Sequence, residues 1–182
     1  MSKLGNLVWI DLEMTGLNPE TDAILEIATI ITDGMLTVLE EGPSLVIHQS
    51  DAVLEAMGPW VQDLHATSGL TERVRASTVS LEQAERETLA CIKKYCTPQM
   101  GILCGNSVWQ DRNFLVRHMP SITDYLHYRL IDVTSVKQVV AAWYPGNPHL
   151  SFVKQDKHRA LADIFESIEE LRHYRKYFFI ST

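Results

Sequence analysis

Asp11 and Glu13 stand two residues apart behind the apolar run Leu7-Val8-Trp9-Ile10. Side chains at i and i+2 share one face of a strand, so both carboxylates can point at one site. Alone, such a pair is usually the solvated end of a strand. Here the preceding run marks a buried strand, and Thr15-Gly16-Leu17 then turns the chain away. Like charges at such a strand end disfavour each other's ionisation and call for a cation or another partner.

Two further segments carry chemistry. Gly105-Asn106-Ser107 is followed by Asp111 in the first turns of an expected helix, where an acid also simply favours the helix N-terminus. His158-Arg159-Ala160-Leu161-Ala162-Asp163 opens the last helix. Five residues on an ideal helix turn through about 140°, so His158 and Asp163 would not share a face. His158 is therefore expected at or just before the helix start. A lone histidine there is more often an ordinary surface residue.

The elements that would position these groups follow from the hydrophobic pattern. Leu7–Asp11 reads as a buried strand, Ile24–Thr32 as a β-branched one, and Leu36–His48 as one strand or two with a break near Gly42–Pro43. Short connections between the three suggest an antiparallel meander. Leu81, Ala84, Thr88, Ile92 and Tyr95 recur at helical spacing behind Ser80, a suitable N-cap. Ile102–Gly105 reads as a strand, Ser107–His118 as a helix limited by Pro120, and Tyr128–Val133 as a strand leading into a helix through Trp143. Leu161, Ile164, Ile168, Leu171 and Tyr174 mark a long amphipathic helix. Pro145–Lys157 is the least regular stretch. Antiparallel strands followed by alternating strands and helices predict an α/β fold with a mixed sheet of five to six strands flanked by helices. No repeat or linker divides the 182 residues, so residues 1–182 are expected to form one domain.

The net charge of −7 is unevenly spread. Residues 1–91 hold 4 Lys/Arg against 15 Asp/Glu, and residues 92–182 hold 12 against 8, balances of −11 and +4. Proteins that grip long nucleic acid usually spread basic charge along a groove. The acidic balance disfavours a long duplex partner and leaves room for a substrate with one or two phosphates. No apolar run approaches the length of a membrane span. The acidic residue at Asp11 comes too early for a secretory leader. Cys91, Cys96 and Cys104 lack paired zinc spacing, which suggests reduced thiols in a cytoplasmic protein. No Asp-x-Asp-x-Asp-Gly calcium loop is present.

WIDLEMTGL, GNSVWQD and HRALAD occur in the order and spacing of the three exonuclease motifs of the DEDDh family, which the chain resembles. Within that family it is similar to the oligoribonucleases over nearly its full length, through ILEIATIITD, SGLT, HYRLIDVTSVK and the HRALADI–SIEEL helix. The resemblance implies a ribonuclease H-like fold and 3′→5′ hydrolysis of very short, single-stranded RNA, dinucleotides especially, in a homodimer. It implies two divalent cations, Mg²⁺ or Mn²⁺, which hard carboxylate ligands suit. Asp11 would bridge both, Glu13 and Asp163 would serve the nucleophile side, and Asp111 would anchor the second ion. His158 would be the general base. Leu17 would wedge against a base, with Trp60 and His65 beside the base pocket. The residue types leave core packing open for Trp60 and solvent for His65. Ser107, Tyr128, Arg129, Thr134 and Ser135 would cap the 5′ phosphate, part of the cap coming from the neighbouring subunit. Residues 144–157 follow no family pattern. The competing readings are an exonuclease for longer chains with the same metal site, and a non-catalytic nucleic-acid-binding module. Against the second stands the intact set of Asp11, Glu13, Asp111, His158 and Asp163.

Overall fold

A computed structural model describes residues 5–153 and 159–179. In chain order the elements are β1 (Leu7–Met14), β2 (Ile24–Thr32), β3 (Val38–Val46), α1 (Asp51–Glu55), α2 (Pro59–Thr67), α3 (Leu70–Ala76), α4 (Leu81–Tyr95), β4 (Ile102–Gly105), α5 (Val108–His118), α6 (Pro120–Tyr125), β5 (Leu130–Asp132), α7 (Val133–Trp143) and α8 (Ala160–Phe178). The five strands form one mixed sheet in the order β3-β2-β1-β4-β5. The first three are antiparallel, whereas β4 and β5 run parallel to β1. This is the predicted meander followed by crossovers.

One expectation needs correction, and two hold with added detail. Of the alternatives over Leu36–His48, the single strand holds, as β3, with its register interrupted at Gly42–Pro43. The ladder passes from Ala28 opposite Ser44 to Ile30 opposite Glu41, so Gly42 and Pro43 form a bulge. Proline lacks the ladder donor, and the outer position of β3 tolerates the loss. A Cβ at Gly42 would lie 2.8 Å from Cys91 Sγ, which explains the glycine. Pro120 ends one helix and also starts the next, α6, as its fixed φ suits a first helical turn. The strand expected over Tyr128–Val133 shrinks to three residues, because Asp132 already caps α7 by accepting from Thr134 N. The helices α1–α3 are not anticipated; they enclose a small core of Leu25, Leu54, Met57, Leu70 and Val74.

The alternation of β1 decides what reaches the site. Val8, Ile10 and Leu12 pack on one face of the sheet with Ala84, Ile92, Phe114 and Ile122. Leu7 and Trp9 pack on the other with Val140, Ile164, Ile168 and Tyr174. Asp11 and Glu13 continue the second set, which is the face that α8 covers.

Candidate active site

At the C-terminal end of β1 the apolar series gives way to acids. One ligand atom from each of Asp11, Glu13 and Asp163 lies within 4.8 Å of the others. Asp163 arrives in the first turns of α8, where its backbone N–H donates to the Arg159 carbonyl at 3.0 Å. Its Oδ2 reaches back to accept from Arg159 N at 3.1 Å. That reciprocal pairing resembles a capping box and fixes the carboxylate's direction. The helix of the last motif, α8, begins at Ala160. His158 itself lies outside the described residues.

Asp111 stands outside this tight trio. It sits on α5, which packs on the other face of β1, and it reaches the strand end by accepting the Leu12 N–H on Oδ1 at 3.0 Å. It is nonetheless close enough to matter. Burial, then the charge of Asp111, then Glu13 and Asp163, hold the Asp11 carboxyl well above its ordinary range. Burial with Asp163 and Glu26 raises Glu13 to about 7, against the opposing pull of Arg73. Burial also raises Asp111 to about 7, although the Leu12 N–H pulls the other way. Convergent oxygens that resist joint ionisation are a fitting donor set for hard divalent cations.

Leu17, Trp60 and His65, the residues expected beside a base, differ in their surroundings. Gly16 lets the chain turn tightly, since a Cβ there would lie 2.5 Å from Asp22 Oδ2. Asp22 accepts from Thr15 Oγ1 at 3.1 Å and from Asn18 N at 2.9 Å, bracketing Leu17. Gln110 of α5 donates to the Leu17 carbonyl. Leu17 is thereby held with 73% of its surface exposed, and Trp60 is 74% exposed, which rules out core packing for that tryptophan. His65 is not a solvent residue: it is 2% exposed, and its Nε2 lies 2.9 Å from the Met14 carbonyl. A carbonyl only accepts, so Nε2 carries the proton.

Among the predicted cap residues, Ser107 and Thr134 meet, their hydroxyl oxygens 3.2 Å apart. Ser107 has φ of +49°, an uncommon conformation for serine, held by bonds from its N–H to Asp132 Oδ1 and Thr134 Oγ1, both 3.0 Å. Tyr128 and Arg129 are exposed and rest on each other, with the guanidinium 5.2 Å from the ring centroid. Ser135 borders an apolar cavity of about 600 Å³ lined by Val136, Val139, Trp143, Tyr144 and Phe178. None of the carboxylates lines that cavity.

The residue types alone do not single out Glu26, Arg73 or Ser167, nor give Asn106 a role. One signal is present for Glu26: a lone charge within the apolar run Ile24–Thr32 implies a buried partner. That partner is Arg73.

Residues 8–171 match the profile of the RNase T family, described as exonuclease. The chain is 52% identical over 178 residues to the oligoribonuclease of Pseudomonas syringae pv. tomato, covering 98% of each. It is 48% identical over 173 residues to that of Thiobacillus denitrificans, covering 95% of this chain and 94% of the relative. In structure it is similar to Escherichia coli exonuclease I in complex with a 5cy-dT13 oligonucleotide, with a TM-score of 0.72 at 17% identity over 97% of this chain. Exonuclease I of Methylocaldum szegediense gives 0.72 at 18% identity over 96% of it. This chain spans only 42% and 41% of those two longer proteins, and the likeness is one of fold, ribonuclease H-like as expected.

Proposed function

The chain belongs to the RNase T exonuclease family, among its oligoribonucleases, and on that footing we propose that it hydrolyses very short single-stranded RNA, dinucleotides especially, at a two-cation site. It is a 3′→5′ exoribonuclease. The convergence of Asp11, Glu13 and Asp163 within 4.8 Å carries the site reading. Asp11, Glu13, Asp163 and Asp111 would hold the cations, with Asp11, at the centre of the four, serving both. When bound, Mg²⁺ or Mn²⁺ supplies charge that acidifies water and neutralises the cleaved phosphate. His158, the residue before Arg159 in sequence, takes the proton from the attacking water, a task suited to an imidazole side chain.

Substrate length is set by the rim. Exposed Leu17 and Trp60 offer apolar surface for base stacking, and buried His65 donates to the last carbonyl of β1. Ser107, Thr134 and Ser135 with Tyr128 and Arg129 cap the 5′ phosphate; a guanidinium fork suits a terminal phosphate. A capped pocket excludes longer chains by steric closure and needs little basic surface, consistent with the net charge of −7.

The protein works as a homodimer. Trp143 is 73% exposed beside the apolar cavity, and that face adjoins Ser135 of the cap. A second copy seated there would bring its own Tyr128 and Arg129 to the neighbouring site. Cys91, Cys96 and Cys104 are buried free thiols, which suits the reducing cytoplasm.

A length series of 5′-phosphorylated RNA tests the reading. Turnover per chain end should fall steeply beyond the dinucleotide, with Mg²⁺ and with Mn²⁺. A twenty-nucleotide RNA degraded as fast as the dinucleotide would overturn the cap and favour an exonuclease for long chains.

A further inference from the structure

We infer that Asn106 is a positioning residue that locks the helix bearing Asp163 to Ser107, at the start of α5, and Thr134, at the start of α7, through an unbroken line of hydrogen bonds. The inference rests on the metal and cap assignments above. It adds a mechanical link between them.

The line can be followed proton by proton. Ser167 Oγ donates to the Asp163 carbonyl at 2.8 Å. Its single proton is then used, so it must accept from Asn106 Nδ2, also at 2.8 Å. The second amide proton of Asn106 goes to Glu170 Oε2 at 3.1 Å. Glu170 is fully buried; it also accepts from Tyr174 Oη at 2.9 Å and faces Lys137 Nζ at 3.5 Å. A carboxylate takes protons only, which fixes the amide orientation of Asn106. Asn106 Oδ1 accordingly accepts the Thr134 hydroxyl at 3.1 Å. Thr134 Oγ1, its own proton used, accepts the Ser107 N–H at 3.0 Å and the Ser107 hydroxyl at 3.2 Å.

Two consequences follow. First, the two cap hydroxyls are not equivalent. Ser107 can turn its proton out to a phosphate oxygen with the line intact, whereas Thr134 would have to release Asn106. Ser107 is therefore the phosphate contact and Thr134 its support. Second, a serine bonding back to the carbonyl four residues earlier is common in helices. The added bond from Asn106 is what ties that turn of α8, and Asp163 with it, to the end of β4. Ligand carboxylates need such support, since small displacements weaken ion binding.

A purely structural role would lower thermal stability and leave ion affinity alone, so the test reads ion binding directly. Mn²⁺ is titrated into the full chain by electron paramagnetic resonance, and kcat/KM is compared on dinucleotides with and without a 5′ phosphate. Ser167→Ala and Asn106→Ala should each weaken Mn²⁺ binding about tenfold. Thr134→Val, further along the line, should weaken it less and reduce the preference for the 5′ phosphate; Thr134→Ser should restore both. Mn²⁺ affinity within twofold of wild type in Ser167→Ala and Asn106→Ala would overturn the inference. Ser167→Ala removes one small hydroxyl and keeps the test valid if Asn106→Ala fails to fold. A wild-type enzyme indifferent to the 5′ phosphate would remove the cap assignment, while the Mn²⁺ titrations would still decide the hold of Asn106 on Asp163.

Discussion

Glu13 and Glu26 lie directly opposite each other across the β1–β2 ladder. Like charges so placed destabilise a sheet, and Arg73 of α3 offsets the repulsion by gripping Glu26 with Nη1 at 2.9 Å and Nη2 at 3.4 Å. The Glu26 side chain is 4% exposed and that of Arg73 31%. Breaking a fully buried pair costs about 3–5 kcal/mol, and partial exposure of the guanidinium reduces this to about 2–3 kcal/mol for Arg73→Ala. Adding Glu26→Gln should recover most of the loss, because no unpaired charge then remains. Urea denaturation of the single and double variants measures it. A double variant no more stable than Arg73→Ala would remove the counter-ion role.

The raised carboxyls make ion-free stability depend on pH. Glu13 moves from 4.5 to about 7, and Asp111 from 3.8 to about 7. Folded-state values above the unfolded ones mean that the folded chain binds more protons, so stability falls as pH rises from about 4 to about 7. Above that window the penalty is fully in place. In EDTA, the melting temperature should decline across this range. Mn²⁺ at about 100 times its Kd should add about 2.7 kcal/mol, roughly 5–10 °C, when the acids are ionised, and progressively less at lower pH. A Mn²⁺ shift of equal size at pH 5 and pH 8 would contradict the linkage.

Much of this arrangement is legible in the sequence, for local reasons. The i, i+2 spacing of Asp11 and Glu13 already places them on one face, and the apolar periodicity of α8 places Asp163 near its start. The division between the tight trio and Asp111 is not legible. It depends on α8 and α5 covering opposite faces of β1, which is a matter of sheet topology. The helices α1–α3 escape notice because each has at most 9 residues, too short for a clear helical period. The burial of His65 follows from the packing of one of these helices. The line through Asn106 and Ser167 joins residues 61 apart in sequence, where spacing carries no information.

The assigned roles separate in kinetics. Asp11→Ala should abolish metal-dependent turnover, since it would remove the carboxylate proposed to serve both cation positions. His158→Ala should lower kcat about 10²–10⁴-fold, the usual range for a general base, with Mn²⁺ affinity and KM largely kept. Steady-state kinetics with a parallel Mn²⁺ titration distinguish the two. Undiminished turnover in either variant would remove the corresponding role.

A cap supplied by a second copy has a signature that a cap within one chain lacks. Trp143→Glu places a charge on the exposed apolar face of α7, so sedimentation should show monomers, with turnover of 5′-phosphorylated dinucleotides reduced and Mn²⁺ binding retained. Arg129→Ala should lose more activity on a 5′-phosphorylated dinucleotide than on one lacking that phosphate. Mixing is the stricter measurement. Asp11→Ala protomers keep their cap and lose their ions; Arg129→Ala protomers do the reverse. In a mixed dimer with caps exchanged, the Arg129→Ala protomer receives an intact arginine and one site becomes complete. Random pairing makes about half of the dimers mixed, each with one complete site of two, so turnover should recover to about a quarter of wild type. Recovery no greater than the average of the two parent variants would place Arg129 on its own chain's site instead.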